Sequence, residues 1–93
     1  MAEKAWRRIV GSGVAFDGPC LLTDVLFWPD DDADYVDIYD GRDATAGRLL
    51  VRIEAAVSTT LIYNLGSGVP LDVGIYVAGI DGAVETTVAY IPR

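Results

Sequence analysis

The sequence contains no histidine and only one cysteine, Cys20. The lack of histidine excludes Ser-His-Asp and Cys-His catalysis in their usual forms, and it excludes histidine-containing zinc sites. A single cysteine cannot close an intrachain disulfide, so the disulfide framework of a small secreted domain is excluded as well. Cys20 begins an apolar run with Leu21 and Leu22, which predicts a small buried side chain rather than a nucleophile.

Targeting and nucleotide-binding signals are also missing. The first ten residues, MAEKAWRRIV, are too polar for a signal peptide or a membrane span, so we expect synthesis in the cytoplasm and no membrane contact. Gly41 and Gly47 enclose five residues before Arg48, which fails the spacing of a P-loop and lacks its lysine. The sequence therefore predicts no cofactor, no catalytic residues and no enzymatic activity.

The charge is strongly acidic, with a net value of −7 at neutral pH. Nine of the fourteen acidic residues lie between positions 17 and 43. Such a surface repels phosphate backbones, so nucleic-acid binding is not expected. The basic residues Lys4, Arg7 and Arg8 near the N-terminus suit contact with an acidic neighbour.

The composition favours strands over helices. Apolar residues make up 52% of the 93 residues, and β-branched residues, tyrosines and glycines alternate in short segments between turns. We therefore predict an all-β fold, an antiparallel β-sandwich of the jelly-roll or Greek-key type with seven to eight strands. Residues 1–12 are predicted to be an N-terminal arm or first strand, and residues 13–93 a single sandwich domain. The predicted strands are 6–10, 14–16, 20–28, 35–40, 49–57, 59–65, 71–77 and 83–91.

Two turns carry strong local signals. The stretch GSGVP at 66–70 predicts a chain reversal, and it precedes a period-two stripe formed by Leu71, Val73, Ile75 and Val77. Asp81 and Gly82 then predict a type I′ hairpin turn into the last strand.

The stretch WPDDDADYVDIYDG, residues 28–41, contains six aspartates. We consider three interpretations, in this order: a solvated loop feeding a strand, the rim of an interface, and a calcium site. The spacing does not match an EF-hand, so no metal ligand is assigned. The aspartates are Asp30, Asp31, Asp32, Asp34, Asp37 and Asp40.

The segment 20–28 is apolar on both faces, and this is the main indication of a partner. Leu21, Val25 and Phe27 are predicted on one face, with Leu22, Leu26 and Trp28 on the other. Since one face builds the core, the other must be covered by the same chain or by another protein. Tyr35 and Tyr39 are expected to extend this surface, and the N-terminal segment to dock on a neighbour. The predicted partner interface is Trp6, Arg7, Arg8, Leu22, Leu26, Trp28, Tyr35 and Tyr39.

Three further segments are informative when they are taken together: GPCLLTDVLFWP (18–29), IYDGRDATAGRLLVRI (38–53) and GVPLDVGIYVAGIDGAVETTVAYIPR (68–93). They resemble a group of small tailed-bacteriophage virion proteins of the capsid decoration or cement type. The resemblance implies a non-enzymatic virion component, made in the host cytoplasm, that attaches in many copies to a phage shell. It also implies a homotrimer that contacts the major capsid protein.

The alternative is a ligand-binding module of a phage fibre or tail. In that hypothesis Trp28, Tyr35, Tyr39 and the aspartates bind a carbohydrate or calcium.

Overall fold

The computed structural model describes residues 3–29, 34–55, 61–79 and 84–93 of the chain. Within these ranges the backbone forms eight strands, and no helix is present that could cross a membrane. The strands are β1 (Ala5–Val10), β2 (Ser12–Asp17), β3 (Cys20–Trp28), β4 (Asp34–Asp40), β5 (Arg48–Ala55), β6 (Leu61–Leu71), β7 (Gly74–Gly79) and β8 (Glu85–Pro92).

The strands form two antiparallel sheets of four strands each. The first sheet has the order β1-β8-β3-β6, and the second has the order β2-β7-β4-β5. Strands β1 to β4 thus pair with β8 to β5 in turn, as one long hairpin that rolls into two layers. This is the jelly-roll arrangement, and the predicted antiparallel β-sandwich is confirmed.

A β-bulge at Thr23 decides which side chains of β3 face the core. Leu22 and Asp24 pair with two consecutive residues of β8, so Thr23 has no partner there. An extra residue of this kind shifts the alternation of side chains by one position. Leu22 and Val25 therefore both point inward, and each is only 1% exposed.

The core lies between the two sheets and is made mainly of β-branched and aromatic side chains. Phe27 and Ile38 are fully buried on strands of opposite sheets, and the rings of Phe16 and Tyr90 lie 4.7 Å apart between their centroids. Cys20 is buried among these residues. The predicted role of Cys20 as a small core side chain is thus confirmed.

The reversal between β6 and β7 lies later than predicted. Instead of turning at 66–70, β6 continues to Leu71, and the chain turns at Asp72 and Val73. Residues 65–68 have no partners in the pairing with β3, whereas Asn64 before them and Val69 after them are paired. Gly66 and Gly68 have φ values of 65° and 110°, which allow this excursion without a reversal.

The predicted stripe from Leu71 to Val77 is consequently wrong as a single strand. Leu71 ends β6 in the first sheet, whereas Ile75 and Val77 belong to β7 in the second sheet. All three are fully buried, while Val73 in the turn is 36% exposed. The alternation arises because the chain crosses from one layer to the other and returns to the same core. The predicted turn at Asp81 and Gly82 lies outside the described residues.

One polar atom in the core is unsatisfied. Thr86 is fully buried, and its hydroxyl oxygen has no hydrogen-bond partner in the described part of the chain. We expect Thr86→Val to raise the free energy of unfolding by about 1 kcal/mol, because the isosteric change removes the desolvation cost of the hydroxyl. Urea denaturation monitored by circular dichroism measures this.

Thr23→Val is the matched control. The Thr23 hydroxyl lies 3.2 Å from the carbonyl oxygen of Ala89 and 3.0 Å from a carboxylate oxygen of Asp24. Its loss is expected to lower the free energy of unfolding by about 1 kcal/mol or more. Equal effects of the two changes would contradict this assignment.

Candidate partner interface

Each sheet turns one face to the core and one face to solvent. The first outer face belongs to the first sheet, and its members follow from the strand register and the burial of their neighbours. It comprises Lys4, Trp6, Arg8, Val10, Leu21, Asp24, Leu26, Trp28, Ile62, Asn64, Pro70, Glu85, Thr87, Ala89 and Ile91. The second outer face belongs to the second sheet and comprises Ser12, Val14, Tyr35, Asp37, Tyr39, Leu49, Arg52, Glu54, Tyr76 and Ala78.

The first outer face unites four of the predicted interface residues. Trp6 and Arg8 lie on β1, and Leu26 and Trp28 lie on β3. Leu26 is aligned across the sheet with Arg8 on one side and Ile62 on the other. The strand pairing therefore brings the N-terminal residues to the same surface as the apolar side of β3.

Leu22 does not belong to this surface, and its predicted outward direction is wrong. Its side chain is in the core, because the bulge at Thr23 reverses the alternation between Leu22 and Leu26. Arg7 is exposed, but it is paired with the core residue Val88 and lies on the other side of β1 from Trp6 and Arg8.

Tyr35 and Tyr39 lie on the opposite side of the sandwich. Both are on β4 of the second sheet, and they pair with Glu54 and Leu49 of β5. The prediction that they extend the apolar surface of β3 is wrong, because β3 and β4 belong to different sheets.

The exposed apolar area of the first outer face is larger than the sequence indicated. Trp6 is 56% exposed, Val10 52% and Ile62 68%, and Leu26 and Trp28 are half-buried between them. Val10 follows Trp6 by four residues, so the alternation of a strand predicts that both side chains lie on the same face. The sequence does not predict this for Ile62, because only its pairing with Leu26 places it on this face.

The charged side chains of the first outer face are paired within the face. The ammonium of Lys4 lies 3.0 Å from a carboxylate oxygen of Asp24, and the guanidinium of Arg8 contacts the carboxylate of Glu85. The side-chain amide of Asn64 also donates to Asp24, at 3.2 Å. The hydrogen bond from Lys4 lowers the pKa of Asp24, outweighing the effect of burial, and the Thr23 hydroxyl adds to it. The charges of the described residues on this face therefore sum to zero.

The second outer face contains a planar ion pair stacked on an aromatic ring. Arg52 donates from Nε and Nη2 to the two carboxylate oxygens of Asp37, at 2.7 and 3.0 Å. Its guanidinium carbon lies 4.0 Å from the centroid of the Tyr35 ring. The hydrogen bond to Asp37 raises the pKa of Arg52. Both carboxylate oxygens of Asp37 thus accept a hydrogen bond from Arg52, although Asp37 is on the outward side of β4.

A row of apolar and aromatic residues crosses the same face. Leu49, Tyr39, Tyr76 and Val14 are aligned across four strands, and the rings of Tyr39 and Tyr76 lie 6.2 Å apart between centroids. Sequence inspection identified only Tyr39, because the row depends on long-range pairing.

Asp40 fixes the crossing from the first sheet to the second. Its carboxylate accepts backbone N–H groups of Asp72, Val73 and Gly74, with donor–acceptor distances of 3.2, 3.0 and 3.3 Å. Burial alone would raise the pKa of Asp40, but these three donors and the nearby Arg48 bring it below its usual value. Gly74 is required here, since a β-carbon would collide with the carbonyl oxygen of Phe16.

The same buried region suppresses the reactivity of Cys20. Burial and the nearby charge of Asp40 raise the pKa of the thiol to about 11, against a smaller opposing effect of Arg93. The thiol is therefore protonated at neutral pH and is a poor nucleophile.

The aspartate run divides into two parts. Asp30, Asp31 and Asp32 lie outside the described residues, so the interpretations that depend on them stay predictions. Asp34, Asp37 and Asp40 are buried residues of β4. Among the residues described, no group of three or more potential ligands is arranged to hold a metal ion.

Comparison with known proteins gives no match. No family model fits the chain, and no curated protein and no solved structure is significantly similar to it. The residues of the two outer faces are therefore the basis for a functional proposal.

We expect Asp40→Asn to lower the free energy of unfolding at neutral pH by roughly 2–3 kcal/mol, because an amide cannot replace a carboxylate that accepts several N–H groups. The folded-state pKa of Asp40 lies below its unfolded value of about 3.9, so the stabilisation is present above that value. It is lost as the pH falls through the folded-state pKa. Urea denaturation at a series of pH values should show that the variant and the native chain converge in acid.

Asp72→Asn is the control for this prediction. Its side chain is 85% exposed and lies 3.4 Å from Arg93, whereas its backbone N–H donor is retained. A change of about 0.5 kcal/mol or less is expected. A loss as large as that of Asp40→Asn would show that the carboxylate of Asp40 is not what holds the crossing.

Proposed function

We propose that this protein is a non-enzymatic structural component, present in several copies, that makes its protein contacts through the first outer face. The observation that supports this most is the exposure of Trp6, Val10 and Ile62 on one face of a small sandwich. Several exposed large apolar side chains on one face of a small domain are typical of a protein interaction site, and tryptophan is enriched among the residues that dominate binding energy.

The resemblance of the sequence to small tailed-bacteriophage proteins narrows this proposal. We propose a capsid decoration or cement protein, located in the virion and made in the host cytoplasm, with the major capsid protein and other copies of itself as partners. The jelly roll supports the proposal as an analogy, since viral capsid domains use it, but it supports lectins equally. The oligomeric state that the resemblance implies is a homotrimer.

The mechanism in this proposal is mechanical. Each copy adds apolar burial to the assembly, and several linked attachments hold far more strongly than one. The non-enzymatic part is supported by the chemistry of the chain: it has no histidine, and the buried thiol of Cys20 is protonated at neutral pH.

Co-sedimentation with protein shells of the phage that encodes the chain tests this function. We expect saturable binding with a fixed number of copies per shell, because a repeated lattice offers repeated sites. Trp6→Asp is expected to abolish retention on the shell, since it places a charge in the first outer face.

Leu49→Asp is the control, because Leu49 is 50% exposed but lies on the second outer face. It should bind as the native chain does. A native chain that stays in the supernatant, and that mass spectrometry does not find in purified virions, would refute the proposed function.

A second candidate function has its own observation, the row containing Tyr39 and Tyr76 on the second outer face. Aromatic rings beside the Asp37–Arg52 pair suit the apolar face and hydroxyl groups of a carbohydrate. Calorimetry with a glycan panel tests this. Saturable heat that Tyr39→Ala abolishes would favour a ligand-binding module, and no heat with any glycan would count against it.

A further inference from the structure

We propose that the first outer face binds a second copy of this chain, face to face, as a two-fold pair. This rests on the proposed function and names the partner that covers that face in the free protein. Attachment to a shell through the same face therefore requires the pair to open. The proposal concerns a pair rather than the trimer that the resemblance implies. Three features of the structure support it: the distribution of charge, the size of the face, and its relief.

The charge distribution selects this face for self-association. The chain has a net charge of −7, so copies repel one another in most orientations. On the first outer face, however, Lys4 is paired with Asp24 and Arg8 with Glu85. The described residues of two copies that meet here therefore bring together no net charge.

The size of the molecule allows a stable pair. The molecule measures 39 × 26 × 17 Å along its principal axes, and a two-layer sandwich is thinnest across its layers. The rectangle that encloses the molecule in projection on its sheets is therefore about 1,000 Å², which is an upper bound for the sheet face. A stable interface of standard size buries about 800 Å² on each partner, which lies within this bound.

The relief of the face is complementary at the middle of its central strands, β8 and β3. On this face β8 presents Glu85, Thr87, Ala89 and Ile91, and β3 presents Trp28, Leu26, Asp24 and Leu21 at the same levels. A two-fold axis along the strands, midway between β8 and β3, keeps these levels and places Leu26 of each copy over the shorter Thr87 of the other. It places Trp28 of each copy over Glu85 of the other.

The same axis also pairs the edge strands. It places β6 of one copy over β1 of its partner, since these strands border the sheet on opposite sides. Ile62, which is 68% exposed, then lies at the level of the partner copy's Arg8, between Trp6 and Val10, which are 56% and 52% exposed. The pair therefore removes from water the two most exposed large apolar side chains among the described residues.

Sedimentation velocity of the purified chain over a dilution series tests the proposal, with Ile62→Asp as the variant. We expect a dimer that dissociates on dilution, and an affinity about tenfold to hundredfold weaker in the variant, as the loss of one buried isoleucine implies. Raising the salt concentration should strengthen the native dimer, because salt screens the repulsion between acidic chains.

The matched control is Leu49→Asp, which makes the same kind of change on edge strand β5 of the other sheet. It should leave the dimer unchanged, and circular dichroism should show native strand content in both variants. A native monomer at every concentration, a trimer, or a dimer that Leu49→Asp weakens and Ile62→Asp does not would overturn the proposal, as would a dimer that weakens as the salt rises.

The outcomes for the pair and for the proposed function are separable. A native monomer that still binds shells would overturn the pair and leave the structural function intact. A dimer that does not bind shells would support the pair and refute the shell attachment.

Discussion

The buried carboxylate of Asp40 holds together the part of the chain on which the sandwich depends. Asp40 is the last residue of β4. Its carboxylate accepts three backbone N–H groups where the chain leaves β6 for β7. The backbone of the same crossing makes two further hydrogen bonds: the carbonyl oxygen of Val73 accepts the N–H of Gly18, and that of Gly74 accepts the N–H of Gly41. Because β7 pairs with both β2 and β4, the position of this crossing sets the register of the second sheet. One ionised group thus aligns segments that are far apart in the sequence.

The bulge at Thr23 has a comparable effect in the first sheet. It turns Leu22 into the core and leaves Leu26 and Trp28 on the outer face, to which Trp6 of β1 also belongs. When one side of an antiparallel sheet meets solvent, its strands need apolar residues only on the side that faces the core. The apolar residues on the outer side of β3 therefore have no role in the core of the monomer, and the proposed contact with another protein molecule would account for them.

The sequence predicted strands well where the signal was local, and failed where it depended on pairing. The bounds of β3 were predicted correctly because an apolar run lies between two prolines, Pro19 and Pro29. The direction of Leu22 was not, since a bulge arises from the register with β8. The row of Tyr39 and Tyr76 and the exposure of Ile62 also depend on strand order, which the sequence does not reveal. The acidic run gave no sign that Asp40 is a buried acceptor for a distant turn.

The account depends most on the claim that the first outer face is covered by protein when the molecule is in its working assembly. The fluorescence of Trp6, isolated in a Trp28→Phe chain, measures this directly across a dilution series. As the concentration rises, the account predicts a shift of the emission to shorter wavelength and protection from acrylamide quenching, because Trp6 leaves water. Emission and quenching that stay the same at every concentration, and also in the presence of shells, would contradict it.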